Sequence, residues 1–162
     1  MSMDKGIDLE EQYDKIYRYC YFKLQHRELA EDITQETFLH FLESSGYRET
    51  GKALRYLYTI ARNLCMDEFR RPAAVLLQEE EQAESIMRNR NEEEALLHKV
   101  SLQKALGQLE AEERELLLLR YVNQVPVSVI CGLFGISRFA VYRRINGALK
   151  QLREEMGEED FT

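Results

Sequence analysis

The part of the sequence best suited to bind a polyanion is residues 136–153, which hold five arginines and lysines and no acidic residue. Basic side chains bind the phosphates of a nucleic acid, whereas base edges are read by side chains at the start of a helix in the major groove. We therefore expect Arg138, Phe139 and Tyr142 to face bases. We expect phosphate contacts from a second set: Arg143, Arg144 and Lys150.

The spacing around this basic segment predicts a helix-turn-helix over residues 127–153. Gly135 stands where the first helix must turn sharply, because glycine adopts left-handed backbone geometry at little cost. Ser137 is a good N-cap for the second helix, which we expect to begin there. Apolar residues at helical spacing would bury that helix: Val141, Ile145, Ala148, Leu149 and Leu152. An ordinary helical hairpin with a solvated basic face is the alternative interpretation.

A second arrangement with nucleic-acid chemistry lies in residues 55–71. On a helix that turns by about 100° per residue, Arg55, Tyr58, Arg62 and Phe69 fall on one side. Basic groups interleaved with aromatic rings suit single-stranded DNA, because the rings stack on bases while the cations follow the phosphates. The competing interpretation is that Tyr58 and Phe69 pack into a core.

Helices are the elements that must position these side chains, since the 162 residues include only two prolines and eight glycines. Residues 8–71 contain three helical patterns, the last of them from about residue 52 to residue 71, where Pro72 ends it. A polar loop with two glycines precedes that third helix, and a further helical zone begins at residue 95. We predict an all-α fold of two small domains, residues 1–72 and 95–162, with the helix-turn-helix in the second.

Residues 73–94 carry seven glutamates against two arginines and lack a sustained apolar stripe, so we expect a flexible acidic linker between the domains. The formal net charge of −7 therefore hides a division between an acidic linker and a basic helix. A polyanion responds to the local charge of the surface that it meets, so the negative average does not exclude nucleic acid.

Other classes of protein find little support in the composition. No apolar run approaches the roughly eighteen residues of a membrane span, and the N-terminus lacks the apolar centre of a signal peptide. Cys20, Cys65 and Cys131 are far apart and odd in number, which indicates buried thiols in a reducing cytoplasm. Glu36 and His40 could share a helical face as metal ligands, but no metalloprotease or phosphate-loop motif accompanies them. We expect a cytoplasmic protein without catalytic residues, cofactor or metal.

Three segments closely resemble the signature segments of the extracytoplasmic-function (ECF) group of bacterial sigma factors. They are AEDITQETFLHF (Ala30–Phe41), RYLYTIARNLCMDEFRR (Arg55–Arg71) and LGQLEAEERELLLLRYV (Leu106–Val122), the last followed by the helix-turn-helix. They occur in the order of that family, so the resemblance covers nearly the whole chain. Family members usually have Gly-Thr or Gly-Ser where this chain has Phe139-Ala140, so the resemblance implies no particular base preference.

The resemblance implies a factor that binds core RNA polymerase and directs promoter-specific transcription initiation. It implies docking on the polymerase by one helix, through Asp32, Gln35, Glu36 and Leu39. The helix from residue 55, with the loop before it, would melt and read the minus-ten element through six residues: Arg55, Tyr58, Arg62, Asn63, Arg70 and Arg71. The C-terminal helix-turn-helix would read the minus-thirty-five duplex through seven: Ser137, Arg138, Phe139, Tyr142, Arg143, Arg144 and Lys150.

Such factors are commonly held inactive by an anti-sigma protein, so the resemblance implies that partner in addition to core polymerase and promoter DNA. It implies no membrane partner. A helix-turn-helix regulator that binds duplex DNA without engaging polymerase is the alternative function. The N-terminal segments distinguish the two, because such a regulator needs neither a polymerase-docking face nor a single-strand face.

Overall fold

The computed structural model describes residues 8–44, 52–71 and 101–157. The chain divides into two compact units, residues 1–82 and 83–162. All regular secondary structure in the described residues is helical, which confirms the all-α prediction. The predicted linker at 73–94 and most of the predicted loop at 44–52 lie outside the described residues.

The first unit contains three helices that pack against one another: α1 (Leu9–Leu24), α2 (Arg27–Glu43) and α3 (Ala53–Phe69). The Asp8 carboxylate begins α1 by accepting hydrogen bonds from the backbone N–H groups of Glu10 and Glu11. Helix α2 begins similarly, because the backbone N–H of Leu29 donates to Nδ1 of His26 at 3.1 Å. These caps satisfy backbone donors that a helix cannot pair internally.

The core of the first unit follows the predicted helical stripes closely. Four apolar residues of the helical patterns in residues 8–71 are completely buried: Ile16, Cys20, Phe41 and Leu57. Tyr19, which the helical pattern had not singled out, is also buried and belongs to this core. Helix α3 ends at Phe69, two residues earlier than predicted.

The second unit begins, within the described residues, with helical residues 101–107 and continues with α4 (Ala111–Leu117). A single π-helical turn (Leu118–Val122) extends α4. Just after this turn, the backbone N–H of Asn123 donates a hydrogen bond of 2.9 Å to the carbonyl of Leu118. Helices α5 (Val127–Phe134) and α6 (Arg138–Met156) follow. Both α4 and α5 pack against α6, so they fix the orientation of the last helix.

The core of the second unit also follows the predicted pattern, apart from a few residues; Leu149 of α6, for example, is only half-buried. The apolar spacing of the helical zone that begins at residue 95 predicts a buried Leu102, but its side chain is 39% exposed, and Ala105 is buried instead. Cys131 was expected to be a buried thiol and is only half-buried, whereas Cys20 and Cys65 are buried as predicted. No helix among the described residues is both long enough and apolar enough to cross a membrane.

Candidate nucleic-acid interface

The turn between α5 and α6 has the geometry that its sequence predicts. Gly135 ends α5 with φ +67° and ψ +34°, the left-handed conformation that glycine adopts without a steric penalty. Two residues later, the Ser137 hydroxyl accepts a hydrogen bond of 3.0 Å from the backbone N–H of Ala140. This bond caps the start of α6, so the direction of the second helix is determined by the turn and its cap.

Helix α6 has one buried row and one exposed row. Val141, Ile145, Ala148 and Leu152 are buried, as predicted. Counting about 100° per residue, Phe139, Arg143 and Lys150 lie within about 40° of one another on the side opposite the buried row. All three are exposed. The helix therefore presents an aromatic ring and two cations on the side turned away from its own core.

The exposed row begins in the first turn of α6, where an aromatic ring and a cation contact each other. Phe139 is 73% exposed, and the guanidinium carbon of Arg143 lies 5.3 Å from the centroid of its ring. That distance is within the range of a cation–π interaction. Arg138 and Tyr142 are also exposed, so the three residues expected to face bases are all accessible.

Arg144 is positioned differently from the other cations of α6 and requires a correction. Its Nη2 atom lies 2.9 Å from Oε1 of Glu112 and 3.3 Å from Oε2 of Glu113, and its side chain is only 26% exposed. The hydrogen bond to Glu112 is the largest influence that raises the pKa of this guanidinium above its usual value. Because two carboxylates already neutralise its charge, we assign Arg144 to the contact between α4 and α6 and withdraw it as a phosphate ligand.

Asn146 belongs to the exposed row and was missed by sequence reasoning. Its position is exposed, and at about 100° per residue it lies close to Lys150 and Phe139 around the helix axis. An asparagine amide can donate to and accept from an adenine edge. The signal that could have found it was its spacing of seven residues from Phe139, which places both on one face.

The exposed face of α3 carries most of the predicted single-strand residues. Arg55, Asn63, Arg70 and Arg71 are exposed, and Arg62 is half-buried. The last two arginines are ion-paired within their own helix end. Arg70 lies 2.9 Å from the Asp67 carboxylate, and Arg71 lies 2.8 Å from that of Glu68.

Tyr58 does not belong to that face, and the expectation that its ring is accessible to bases is wrong. The side chain is 1% exposed, and its ring meets Tyr19 of α1 edge to face, with centroids 5.7 Å apart. The packing of α1 against α3 buries Tyr58. The helical periodicity of α3, taken alone, places Tyr58 on the same side as the exposed arginines. Phe69 is 50% exposed and remains available for stacking.

The predicted docking residues share one exposed face of α2. Asp32, Gln35, Glu36 and Leu39 are all exposed, and Leu39 has 61% of its surface accessible. The opposite face of α2, which includes Ala30 and Phe41, is buried in the core of the first unit. The helix therefore offers an acidic surface with an apolar side chain at its centre.

The ionisable residues that the structure describes do not form a metal site. Glu36 and His40 do face each other, with Oε2 and Nε2 at 3.6 Å, but no third ligand joins them. Within residues 8–44, 52–71 and 101–157, no group of three His, Cys, Asp or Glu side chains is arranged to hold an ion.

Comparison with protein families assigns both units. Sigma-70 region 2 matches residues 9–74, and Sigma-70 region 4 matches residues 99–152. The RNA polymerase sigma factor CarQ of Myxococcus xanthus is 33% identical over 80% of this chain and 76% of its own. The ECF sigma factor BldN of Streptomyces coelicolor is 29% identical over 91% of this chain, which spans 60% of the length of BldN.

A solved structure shares the fold. The sigma factor RpoE of Bartonella quintana, crystallised with the anti-sigma factor NepR, superposes with a TM-score of 0.64. The alignment covers 91% of this chain and 93% of the RpoE chain, at 19% sequence identity. At that identity the similarity concerns the helical architecture alone.

Proposed function

We propose, from the premise that the chain belongs to the ECF group of the sigma-70 family, that it binds core RNA polymerase and directs transcription initiation at specific promoters. The proposal assigns residues 1–72 to polymerase docking and the minus-ten element, residues 73–94 to a linker, and residues 95–162 to the minus-thirty-five element. It requires no catalytic residue in this chain, because the polymerase would supply the chemistry.

The observation that carries the proposal is the exposed row of α6. Helix α6, whose first turn is capped by Ser137 and which has no acidic residue before Glu154, presents Phe139, Arg143 and Lys150 on the side away from its core. A helix held in this way fits the major groove, where its first turn would meet base edges and its later cations would meet phosphates. We assign Ser137, Arg138, Phe139, Tyr142, Arg143 and Lys150 to the duplex.

The first unit supports the other half of the proposal. Arg55, Arg62 and Asn63 on α3, with Arg70 and Arg71 at its end, would follow the melted minus-ten strand. With Tyr58 in the core, Phe69 is the aromatic ring of this helix that remains accessible for stacking on a base. Breaking the exposed pair of Arg70 with Asp67 would cost about 1 kcal/mol or less, whereas Arg71 pairs with Glu68, whose side chain is only 10% exposed.

Core RNA polymerase would dock on the exposed face of α2 formed by Asp32, Gln35, Glu36 and Leu39. The acidic groups favour a basic partner surface, and Leu39 would lose its exposed apolar area on docking. An anti-sigma protein is a further proposed partner, because RpoE, which has the same fold, was crystallised with one. We propose that the protein acts in the cytoplasm, where the polymerase is.

Transcription in vitro tests this function directly. Core polymerase would be supplied with a genomic promoter library, with and without the full chain, and the transcript starts would be sequenced. We expect added chain to produce new starts that share two conserved elements, one near minus ten and one near minus thirty-five. Starts that match those of core enzyme alone would overturn the proposal.

Association with core polymerase separates the proposed function from that of a duplex-binding regulator. Gel filtration of the chain mixed with core enzyme should yield a stable complex without DNA. A chain that binds promoter duplex but neither co-elutes with the polymerase nor initiates transcription would be a regulator of the alternative class.

A further inference from the structure

Phe139 is the most exposed large apolar side chain in the described residues, with 73% of its surface accessible. It is the second residue of α6, and it contributes nothing to the buried row of that helix. An aromatic ring in this position is unfavourable in water unless a partner covers it, because burying such a side chain is worth roughly 1.5–3 kcal/mol.

The charges around the ring indicate what covers it. Arg143 stacks over the ring at 5.3 Å, and Lys150 lies on the same side of the helix two turns further along. No acidic residue occurs between positions 136 and 153. An apolar ring in contact with one cation, on a helix face that carries a second cation, fits the surface of a polyanion that also presents apolar groups, and duplex DNA has that character.

The major groove offers one apolar group on the standard bases, which is the C5-methyl group of thymine. The other base-edge groups in that groove are hydrogen-bond donors and acceptors, which a phenyl ring cannot pair. We propose that Phe139 is a specificity-determining residue that contacts the C5-methyl group of a thymine in the minus-thirty-five duplex. This inference rests on the proposed function, since it requires α6 to lie in the major groove of promoter DNA.

Arg143 is a positioning residue in this arrangement. Its guanidinium lies against one face of the Phe139 ring, so it restricts the rotamers of the ring while its remaining N–H groups can reach a phosphate. The rest of the ring stays open to the methyl group.

Deoxyuridine tests the contact at the level of one methyl group, because it differs from thymidine only by lacking that group. The full chain bound to core polymerase would be titrated with duplexes of a promoter recovered from the library. Each duplex would carry one thymine of the minus-thirty-five element replaced by deoxyuridine. At one position we expect affinity to fall about fourfold, the equivalent of one buried methyl-sized group.

The Phe139→Ala variant should bind the thymine duplex and the deoxyuridine duplex at that position equally well. Tyr121→Ala is the matched control, since it removes an exposed ring outside α6 and should retain the fourfold preference. Both side chains are exposed, so both variants should unfold at the temperature of the unaltered chain.

Three outcomes would overturn the inference, and they are distinguishable from a failure of the proposed function. The first is a methyl preference that persists unchanged in Phe139→Ala, and the second is promoter-specific binding without any methyl preference. The third is a Phe139→Ala variant that loses affinity for core polymerase while its DNA binding is unchanged. If the complex shows no promoter-specific binding at all, both the inference and the proposed function fail.

Discussion

The Nη2 atom of Arg144 lies 2.9 Å from Oε1 of Glu112, a residue 32 positions earlier in the chain. The same guanidinium also donates to Glu113, through Nε at 3.4 Å and Nη2 at 3.3 Å. These contacts join the start of α4 to the middle of the recognition helix α6. Two adjacent arginines of this helix therefore have different surroundings, since Arg143 is exposed and Arg144 is held by two carboxylates of its own protein.

Replacing each arginine by alanine should reveal this difference. Arg143→Ala should reduce the slope of log K against log salt concentration by about one, because one phosphate contact is lost. Arg144→Ala should leave that slope unchanged and lower the stability of the second unit by up to about 1 kcal/mol. Fluorescence anisotropy with a promoter duplex at several salt concentrations measures the slope, and urea unfolding measures the stability. Equal reductions in slope would return Arg144 to the phosphate contacts.

Glu112→Gln provides the control for the pairing. The amide keeps the size of the side chain but removes its charge, so the variant should lose part of the stability that Arg144→Ala loses. The variant should also leave the Arg144 guanidinium with one fewer carboxylate partner. Arg144 could then contact a phosphate, so the salt dependence of duplex binding should become steeper. A variant with unaltered stability and unaltered slope would contradict a role for this ion pair.

The Ser137 cap can be separated from DNA binding by two substitutions. Ser137→Ala removes the acceptor for the Ala140 N–H and should cost about 1 kcal/mol of stability. Ser137→Asp keeps a cap acceptor, so stability should be retained, but its carboxylate would face phosphates and weaken duplex binding. Thermal unfolding and anisotropy on the same samples compare the two effects. An aspartate variant that binds duplex as tightly as the unaltered chain would place position 137 away from the DNA.

Gly135 and Gly147 form a matched pair of glycines in the second unit. A Cβ atom at either position would meet nothing within 4 Å, so packing contributes to neither substitution. Gly135→Ala should destabilise the unit by about 1–2 kcal/mol because φ is +67° there. Gly147→Ala, within α6, should stabilise it by up to about 1 kcal/mol because alanine favours helix. Urea unfolding of the two variants should therefore shift in opposite directions, and a common direction would contradict the assigned backbone geometry.

The docking face of α2 predicts a loss of polymerase binding without a loss of folding. Leu39→Arg places a cation on a surface proposed to meet a basic partner, and the side chain is 61% exposed, so the unit should still fold. We expect the apparent affinity for core polymerase, measured by co-elution, to fall at least tenfold, which corresponds to roughly 1.4 kcal/mol of binding free energy. Asp14→Arg, at an exposed position of α1, is the charge control and should bind normally. A Leu39→Arg variant that associates as well as the unaltered chain would remove α2 from the proposed interface.

Features determined by neighbouring residues were predictable from the sequence. The helical stripes that bury Ile16, Phe41 and Leu57, the left-handed turn at Gly135 and the cap at Ser137 each depend on residues within about one turn of helix. Interactions over such short separations are encoded in residue type and spacing, which also explains why the all-α class was predicted correctly.

Features that depend on packing between distant segments were decided only by the tertiary structure. Tyr58 is in the core because α1 brings Tyr19 against it, and Arg144 is neutralised because α4 brings Glu112 and Glu113 to it. Periodicity along one helix predicts the side of the helix on which a side chain lies, but not which residue of another helix packs against it. The sequence by itself thus determined the helix-turn-helix and the sign of its charge. The tertiary structure decided which of its cations and which rings of α3 remain available to DNA.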